Sequence, residues 1–405
     1  MRHHAKGVMS GDRTFPTVDS APVRVLVVLG TRPEAIKLAP VVQALKAEVS
    51  FDVHMALTGQ HREMVDEILG PLGMRPDVDL DVMAPGQTLN QLVSRMVPRI
   101  DDLLAVATPD VVLVQGDTTS TFCASLAAFH RRVRVGHVEA GLRSYDRFHP
   151  YPEEANRRMV SACADFHFAP TDRAAKALLA EGVPRESVYV TGNTVIDALM
   201  LALSQSHMPR PFPVERQVLV TLHRREAWDA IDEAGVTVMD GILGGIRQAA
   251  ERYTDFDFVY PVHKNPRVRE AVARVLGRTN NIKVVEPIPY FEFVRVMARA
   301  SVIVTDSGGI QEEAPSLGVP VIILRKTTER PEALGAGGNV LAGIDPNSIT
   351  TEICSALDHM RQMPVQYPCP SPYGDGRASV RIAQALLHEV RGEPGPLPFV
   401  ATQRH

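Results

Sequence analysis

The sequence predicts an α/β protein made of two doubly wound parallel-sheet domains facing a cleft. Three observations predict it. Short β-branched runs alternate with helical periods along most of the chain, as in parallel sheets covered on both faces. A length of 405 residues is enough for two such cores. Polar, glycine-bearing turns recur where strands hand over to helices, and that carboxyl edge is where open α/β sheets bind ligands.

Composition narrows the function. The chain is 45% apolar and 22% charged, with a formal net charge of −4. That balance gives no overall pull toward nucleic acid or an anionic membrane, so a phosphate site has to be a local basic cluster. Cys123, Cys163, Cys354 and Cys369 are scattered, with no C-x-x-C pair, which suggests neither a disulfide scaffold nor a zinc site. A cytoplasmic setting is the expectation. Residues 1–22 are polar and irregular without an apolar core, and read as a flexible arm rather than a signal peptide. No apolar run approaches membrane-spanning length.

The first strand, Val23–Leu29, turns through Gly30 and Thr31 into a helix with Pro33 in its first turn. Arg32 and Lys37 place two cations at that helix start, a pattern that favours anion binding. A second strand over 51–58 precedes Gly59-Gln60-His61-Arg62, which opens another helix. Residues 74–90 read as loop, and 91–106 as a helix leading into the strand Val111–Gln115. Asp117 then stands at the strand's carboxyl end. Alternatively, it merely caps the following helix, 122–131. Arg134–Val138 is the next strand and Glu139 follows it. An aromatic, basic loop over 144–151 leads to a helix start carrying Glu153. Asp117, Glu139 and Glu153 thus gather near one sheet edge, which suits proton transfer.

Phe166–Ala169 and 187–191 complete the first strand series, and 204–216, with three prolines, reads as a linker. The second series starts with 218–222, ending in His223-Arg224-Arg225-Glu226. It continues with a helix over 236–252, a strand over 256–261 followed by His263, a strand over 282–285 and a helix over 291–299. Its centre is Val302–Thr305, then Asp306-Ser307-Gly308-Gly309, a helix over 310–317, Gly318 as the C′ residue, and a strand over 319–324. Ser307, Gly308 and Gly309 would sit at a helix N-terminus, where free N–H groups and the helix dipole suit a phosphate. Glu313, one turn on, suits a neutral diol. An ordinary turn with a capping serine fits the spacing equally well. No G-x-G-x-x-G or P-loop pattern occurs, which argues against NAD and against ATP held in the P-loop manner. The expected boundaries are an arm at 1–22, a first domain at 23–190 plus a returning helix at 377–391, a second domain at 191–376, and a tail at 392–405.

Ten motifs occur in order: GTRPEAIKLAP (30–40), GQHREM (59–64), QGDTTST (115–121), GHVEAGLRS (136–144), PEEANRR (152–158), TGNTVIDAL (191–199), HRRE (223–226), PVHKNP (261–266), TDSGGIQEEAPSLGVPV (305–321) and TTERPE (327–332). Together they resemble the non-hydrolysing UDP-N-acetylglucosamine 2-epimerases, over roughly Val25 to Arg391. The resemblance implies a Rossmann-like, glycosyltransferase-B-like fold with the ligand in the interdomain cleft. It implies interconversion of UDP-GlcNAc and UDP-ManNAc by anti-elimination of UDP to 2-acetamidoglucal, then re-addition. No cofactor or metal is called for, nor a nucleic-acid or membrane partner, and a homodimer is expected.

By motif match, Asp117, Glu139, Glu153 and His223 are the catalytic candidates. Arg32, Lys37, Phe293, Ser307, Gly308, Gly309, Glu313 and Arg330 are the substrate-binding ones. Which carboxylate removes the C2 proton and which returns it stays open. Members of the family can bind a second UDP-GlcNAc as an activator, and the matching residues are Gln60, His61, Arg225 and His263. Two places depart from the commonest pattern. The 144–151 loop is more basic, with Arg147 and His149, and Ile288 stands where relatives can carry a polar residue. A glycosyltransferase, a hydrolysing epimerase and a non-catalytic sugar-nucleotide sensor are the competing readings.

Overall fold

A computed structural model describes residues 21–59, 62–205, 215–222, 237–328, 330–334, 338–362 and 371–401. Two parallel sheets organise them. The first contains β1 (Val23–Leu29), β2 (Phe51–Leu57), β3 (Val78–Asp79), β4 (Val111–Gln115), β5 (Arg134–Val138), β6 (Phe166–Ala169) and β7 (Val188–Val190). Its spatial order is β3-β2-β1-β4-β5-β6-β7. The second contains β8 (Gln217–Thr221), β9 (Asp257–Pro261), β10 (Ile282–Val285), β11 (Val302–Thr305), β12 (Val321–Ile323) and β13 (Val340–Leu341), in the order β10-β9-β8-β11-β12-β13.

Alternation along each strand explains why these apolar runs fold as sheets rather than helices. Val23, Val25 and Val27 enter one hydrophobic cluster, while Leu26 and Val28 enter another on the opposite face. In the second sheet Val302 and Val304 face one cluster and Ile303 the other. Helices therefore cover both faces, as a parallel sheet requires. The helix Ala378–Arg391 returns to the first sheet and buries Ile382, Ala385 and Leu386 in its core. Asp197 receives that helix: its carboxylate accepts from the backbone N–H groups of Ala378 at 3.2 Å and Ser379 at 2.7 Å.

Strand order reverses between β1 and β4 in the first sheet and between β8 and β11 in the second. Such switch points open a crevice at the strand carboxyl ends. The turns after β1, β4 and β11 hold Gly30–Arg32, Gly116–Thr118 and Asp306–Gly309, and so they line these crevices.

Among the described residues, several elements lie outside those read from the sequence. β3 pairs two residues with the edge of β2 within the stretch read as loop, too short to carry a period. Asp172–Ala180, Pro266–Leu276 and Pro346–Gln362 are helices, and β13 is a two-residue edge strand. Among the described residues, no helix is long and apolar enough to cross a membrane.

Candidate active site

Glu139 is the polar centre of the first-domain edge. It directly follows β5 and adopts the left-handed conformation, with φ of 62°. That costs a non-glycine residue energy, and such strain concentrates at functional sites. Its carboxylate is 7% exposed as a residue and receives donors from three segments. Lys37 Nζ donates to Oε1 at 2.6 Å and to Oε2 at 2.5 Å. Asn193 Nδ2 donates to Oε1 at 2.9 Å, and Gln115 Nε2 donates to Oε2. Burial pushes this carboxyl up, but the Lys37 ammonium, Arg330 and the Asn193 amide outweigh it and hold it below the usual carboxylate range. Burial likewise pulls Lys37 down, and the carboxylates of Glu139 and Glu312 more than restore it, so both partners stay charged.

Gly116, in the left-handed region at φ 73°, turns the chain out of β4 beside Glu139. Asp117 follows. It does not cap the next helix: Thr118 does, its hydroxyl accepting from Thr121 N at 3.2 Å. Asp117 instead faces the helix Glu153–Cys163. Arg157 Nε donates to Asp117 Oδ2 at 2.8 Å, and Asn156 Nδ2 donates to the Asp117 carbonyl at 2.9 Å. Glu153 lies one turn before Arg157 on the same helix face. Its Oε2 is buried with no hydrogen-bond partner. Its neighbour Glu154, fully buried, accepts from the Ser144 and Tyr145 N–H groups at 3.0 and 3.3 Å and ties the 144–151 loop down.

Beneath this edge, Glu34 joins the turns after β1 and β4. It accepts from Gly30 N, Thr31 N, Thr118 Oγ1 and Thr121 Oγ1, at 2.6–2.9 Å. Arg32, at the start of the same helix, is exposed.

In the second domain, Ser307 stands at the N-cap of the helix Gly308–Leu317, but its side chain makes no cap bond, so the capping-serine reading fails. A Cβ at Gly308 would come 2.9 Å from the Arg330 Cζ, so a larger residue there would push the guanidinium aside. Arg330 thus packs beside the helix start, and its Nε donates to Glu312 Oε1 at 2.7 Å. Gly318 closes the helix at φ 70°, as its sequence position suggests. Glu313 is buried and accepts from Tyr290 Oη at 2.9 Å. Burial pushes its carboxyl up to about 7, Tyr290 opposes the shift and Glu312 adds to it. Phe293 packs half-buried on the neighbouring cluster. His263 is exposed beyond β9, and its Nδ1 accepts from Asn265 N at 3.1 Å.

The structure thus brings together Lys37, Glu139, Glu312 and Arg330, and separately Asp117 with the Glu153 helix. Gln60, His61, His223 and Arg225 lie outside the described residues. Gln115, Arg157, Asn193, Glu312 and Tyr290 carry site contacts that had no assigned role from sequence. Gln115 ends an otherwise apolar buried strand, VVLVQ, and Glu312 lies on a helix buried along most of its length. A polar residue in such a run was the available signal. Among the described residues, no cluster of three or more His, Cys, Asp or Glu side chains could hold a metal ion.

Comparison with known proteins bears on the fold and the family. The family model described as UDP-N-acetylglucosamine 2-epimerase matches residues 43–387. The UDP-N-acetylglucosamine 2-epimerase of Escherichia coli K12 is 44% identical over 376 residues, covering 90% of this chain and 98% of that protein. Its Bacillus subtilis counterpart is 43% identical over 371 residues, covering 90% and 95%. The crystal structure of the Neisseria meningitidis UDP-GlcNAc 2-epimerase bound to UDP-GlcNAc superposes with a TM-score of 0.81 at 42% identity, covering 90% of this chain and 100% of that one. The kitacinnamycin glycotransferase, 14% identical with a TM-score of 0.56 and covering 91% and 99%, shares the fold alone.

Proposed function

The chain belongs to the UDP-N-acetylglucosamine 2-epimerase family, and on that footing we propose that it interconverts UDP-GlcNAc and UDP-ManNAc by inversion at C2. In the elimination step the C2–H and C1–O bonds break, UDP departs and a C1=C2 double bond forms, giving 2-acetamidoglucal. UDP then re-adds at C1 while a proton is delivered to the opposite face of C2. The C2 hydrogen is poorly acidic, so the step needs a placed carboxylate and strong stabilisation of the leaving diphosphate.

The observation that carries this reading is the arrangement around the crevices. Three carboxylates line the first-domain edge, and the Ser307–Gly309 turn with Arg330 stands at a helix start in the second. Ser307, Gly308, Gly309 and Arg330 take the diphosphate and Glu313 the ribose. Arg32 and Lys37 complete the nucleotide-sugar site with Phe293 near the base, and His223, outside the described residues, is a further catalytic candidate by motif match alone. The hydrogen bonding also divides the carboxylates. Glu139 already receives donors on both oxygens and is a poor base. Asp117 is held through Oδ2 alone, and Glu153 Oε2 has no partner. We therefore assign proton transfer to Asp117 and Glu153, with Glu139 supplying fixed charge. Gln60, His61, Arg225 and His263 would receive an activating second UDP-GlcNAc, and the working unit would be a homodimer.

Incubation with UDP-GlcNAc alone in deuterated water, followed by NMR, tests the reading. UDP-ManNAc carrying deuterium at C2 is expected. Free ManNAc with UDP would mean hydrolysis. Absence of turnover would favour a glycosyltransferase or a sensor, and protium retained at C2 would overturn the elimination route.

A further inference from the structure

Asn193 spans the two halves of the site. It follows β7 of the first sheet and is 1% exposed. Its amide is satisfied in every direction. Oδ1 accepts from Val195 N at 3.1 Å, which fixes which end of the amide is nitrogen. One Nδ2 contact reaches Glu139 Oε1 at 2.9 Å and another reaches Glu312 Oε2 at 2.7 Å. Its backbone N–H donates to the Tyr373 carbonyl at 2.6 Å, so the residue itself is anchored. The other oxygen of Glu312 accepts from Arg330 Nε at 2.7 Å, and Arg330 lies against Gly308. An unbroken polar chain therefore runs from the helix start of the second domain to the strained Glu139 of the first.

We propose that Asn193 is a positioning residue that couples occupancy of the diphosphate site to the Glu139 carboxylate, through Arg330 and Glu312. The inference rests on the reading above for what occupies the Ser307–Gly309 turn. A diphosphate there competes with Glu312 for the Arg330 guanidinium, since both are anions seeking the same planar donor. Glu312 then loses the guanidinium hydrogen bond and draws more heavily on its remaining hydrogen-bond donor, Asn193. The Asn193 amide cannot tilt toward Glu312 without weakening its bond to Glu139, because one rigid NH2 group serves both. The first carboxylate thus senses the arrival of ligand on the other domain without touching it.

Coupling between sites is reciprocal. If UDP alters Glu139 through Asn193, altering Glu139 has to change UDP affinity through Asn193. The test is a thermodynamic cycle with UDP as the titrant in calorimetry. Glu139→Gln is expected to change the UDP dissociation constant about fivefold or more in the otherwise native protein, the usual floor for coupled sites. In the Asn193→Ala background the same change should shift it at least about twofold less, and that difference is the part carried by Asn193, since any direct effect of Glu139 on UDP is common to both backgrounds. An equal shift in both backgrounds, or none in the native one, overturns the proposal. Should Asn193→Ala fail to fold, Glu312→Gln cuts the chain one link earlier and carries the same expectation. Turnover of UDP-GlcNAc is followed in parallel. Its absence with the UDP cycle intact sinks the epimerase reading alone, and normal turnover with an additive cycle sinks only the coupling.

Discussion

Arg157 grips Asp117 from one side: Nε and an Nη of the guanidinium both reach Oδ2, at 2.8 and 2.7 Å. The same guanidinium contacts Glu154 Oε2 at 3.1 Å. Asp117 is thereby oriented by the helix that also carries Glu153, so one element positions both carboxylates. A planar fork made for this purpose is not replaceable by a lysine.

The first prediction follows from that grip. Asp117→Asn and Glu153→Gln should each lower turnover by about 100-fold or more, the scale of lost general acid–base catalysis, while UDP affinity stays near native. Arg157→Lys should lower turnover without weakening UDP binding, because it disturbs orientation and leaves the diphosphate site alone. Steady-state kinetics beside calorimetry with UDP separates the two effects. Full activity in both carboxylate variants would show the assignment to be wrong.

Lys37 and Glu139 give the second prediction. They form an ion pair with side chains 15% and 4% exposed. Removing one member strands the other in a poorly solvated site, which costs about 3–5 kcal/mol, whereas removing both together costs far less. Lys37→Met and Glu139→Gln should each lower the urea midpoint, and the double variant should recover part of the loss. Additive losses would argue that the pair is independent of burial. The catalytic outcome differs from the structural one: turnover should stay low in all three, since each lacks at least one charge of the pair.

Much of this architecture was legible because parallel strands announce themselves. VRVLVVL and VVLVQ are too apolar for anything but a buried strand, and the turns after them had to lie at the carboxyl edge. Gly318 was legible for a similar reason, as a helix end needing a left-handed residue. What escaped was decided across the chain. Nothing local tells Asn193 that Glu139 and Glu312 will converge on its amide, at sequence separations of 54 and 119 residues. The capping alternative for Asp117 stayed open because it precedes a helix, yet Thr118 offers the same chemistry one residue closer to the first turn. β3 and β13 escaped because two residues of edge pairing carry no period.

A third prediction concerns acid stability. His137 and His167 sit side by side on β5 and β6, both buried. Burial holds His137 down to about 3, against which its contact with the Gly116 carbonyl at 2.7 Å works only weakly. Burial and Arg143 hold His167 down to about 4. Both fold as neutral rings, whereas the unfolded chain takes up protons below about pH 6.5. Their contribution is present above that pH and is lost as pH falls toward the folded values. Between pH 6.5 and 5 His137 alone should remove about 2 kcal/mol. Urea unfolding at those two pH values, run on the native protein and on His137→Gln, should show the variant losing about 2 kcal/mol less, since His167 and Glu313 titrate alike in both. An equal slope in the variant would refute the assignment.

The last prediction turns on Glu313, whose sign is opposite. Its folded carboxyl is raised to about 7 from the ordinary 4.5, first by burial and then by Glu312, with Tyr290 opposing. Between those values the native protein keeps a proton that the unfolded chain has released. Stability from this group is therefore full below about pH 4.5 and is lost as pH rises through about 7. Glu313→Gln removes the titration, and its carboxamide oxygen can still accept from the Tyr290 hydroxyl. The stability of the variant relative to the native protein should thus improve by about 3 kcal/mol between pH 4.5 and 7. Ligand binding runs the other way. A ribose hydroxyl donates best to an ionised carboxylate, so native UDP affinity should gain on that of Glu313→Gln as pH rises from 6 to 8. Comparing the two proteins at each pH cancels the titration of the UDP phosphate itself. A native-to-variant affinity ratio that is flat over this range would mean that Glu313 does not hold the ribose.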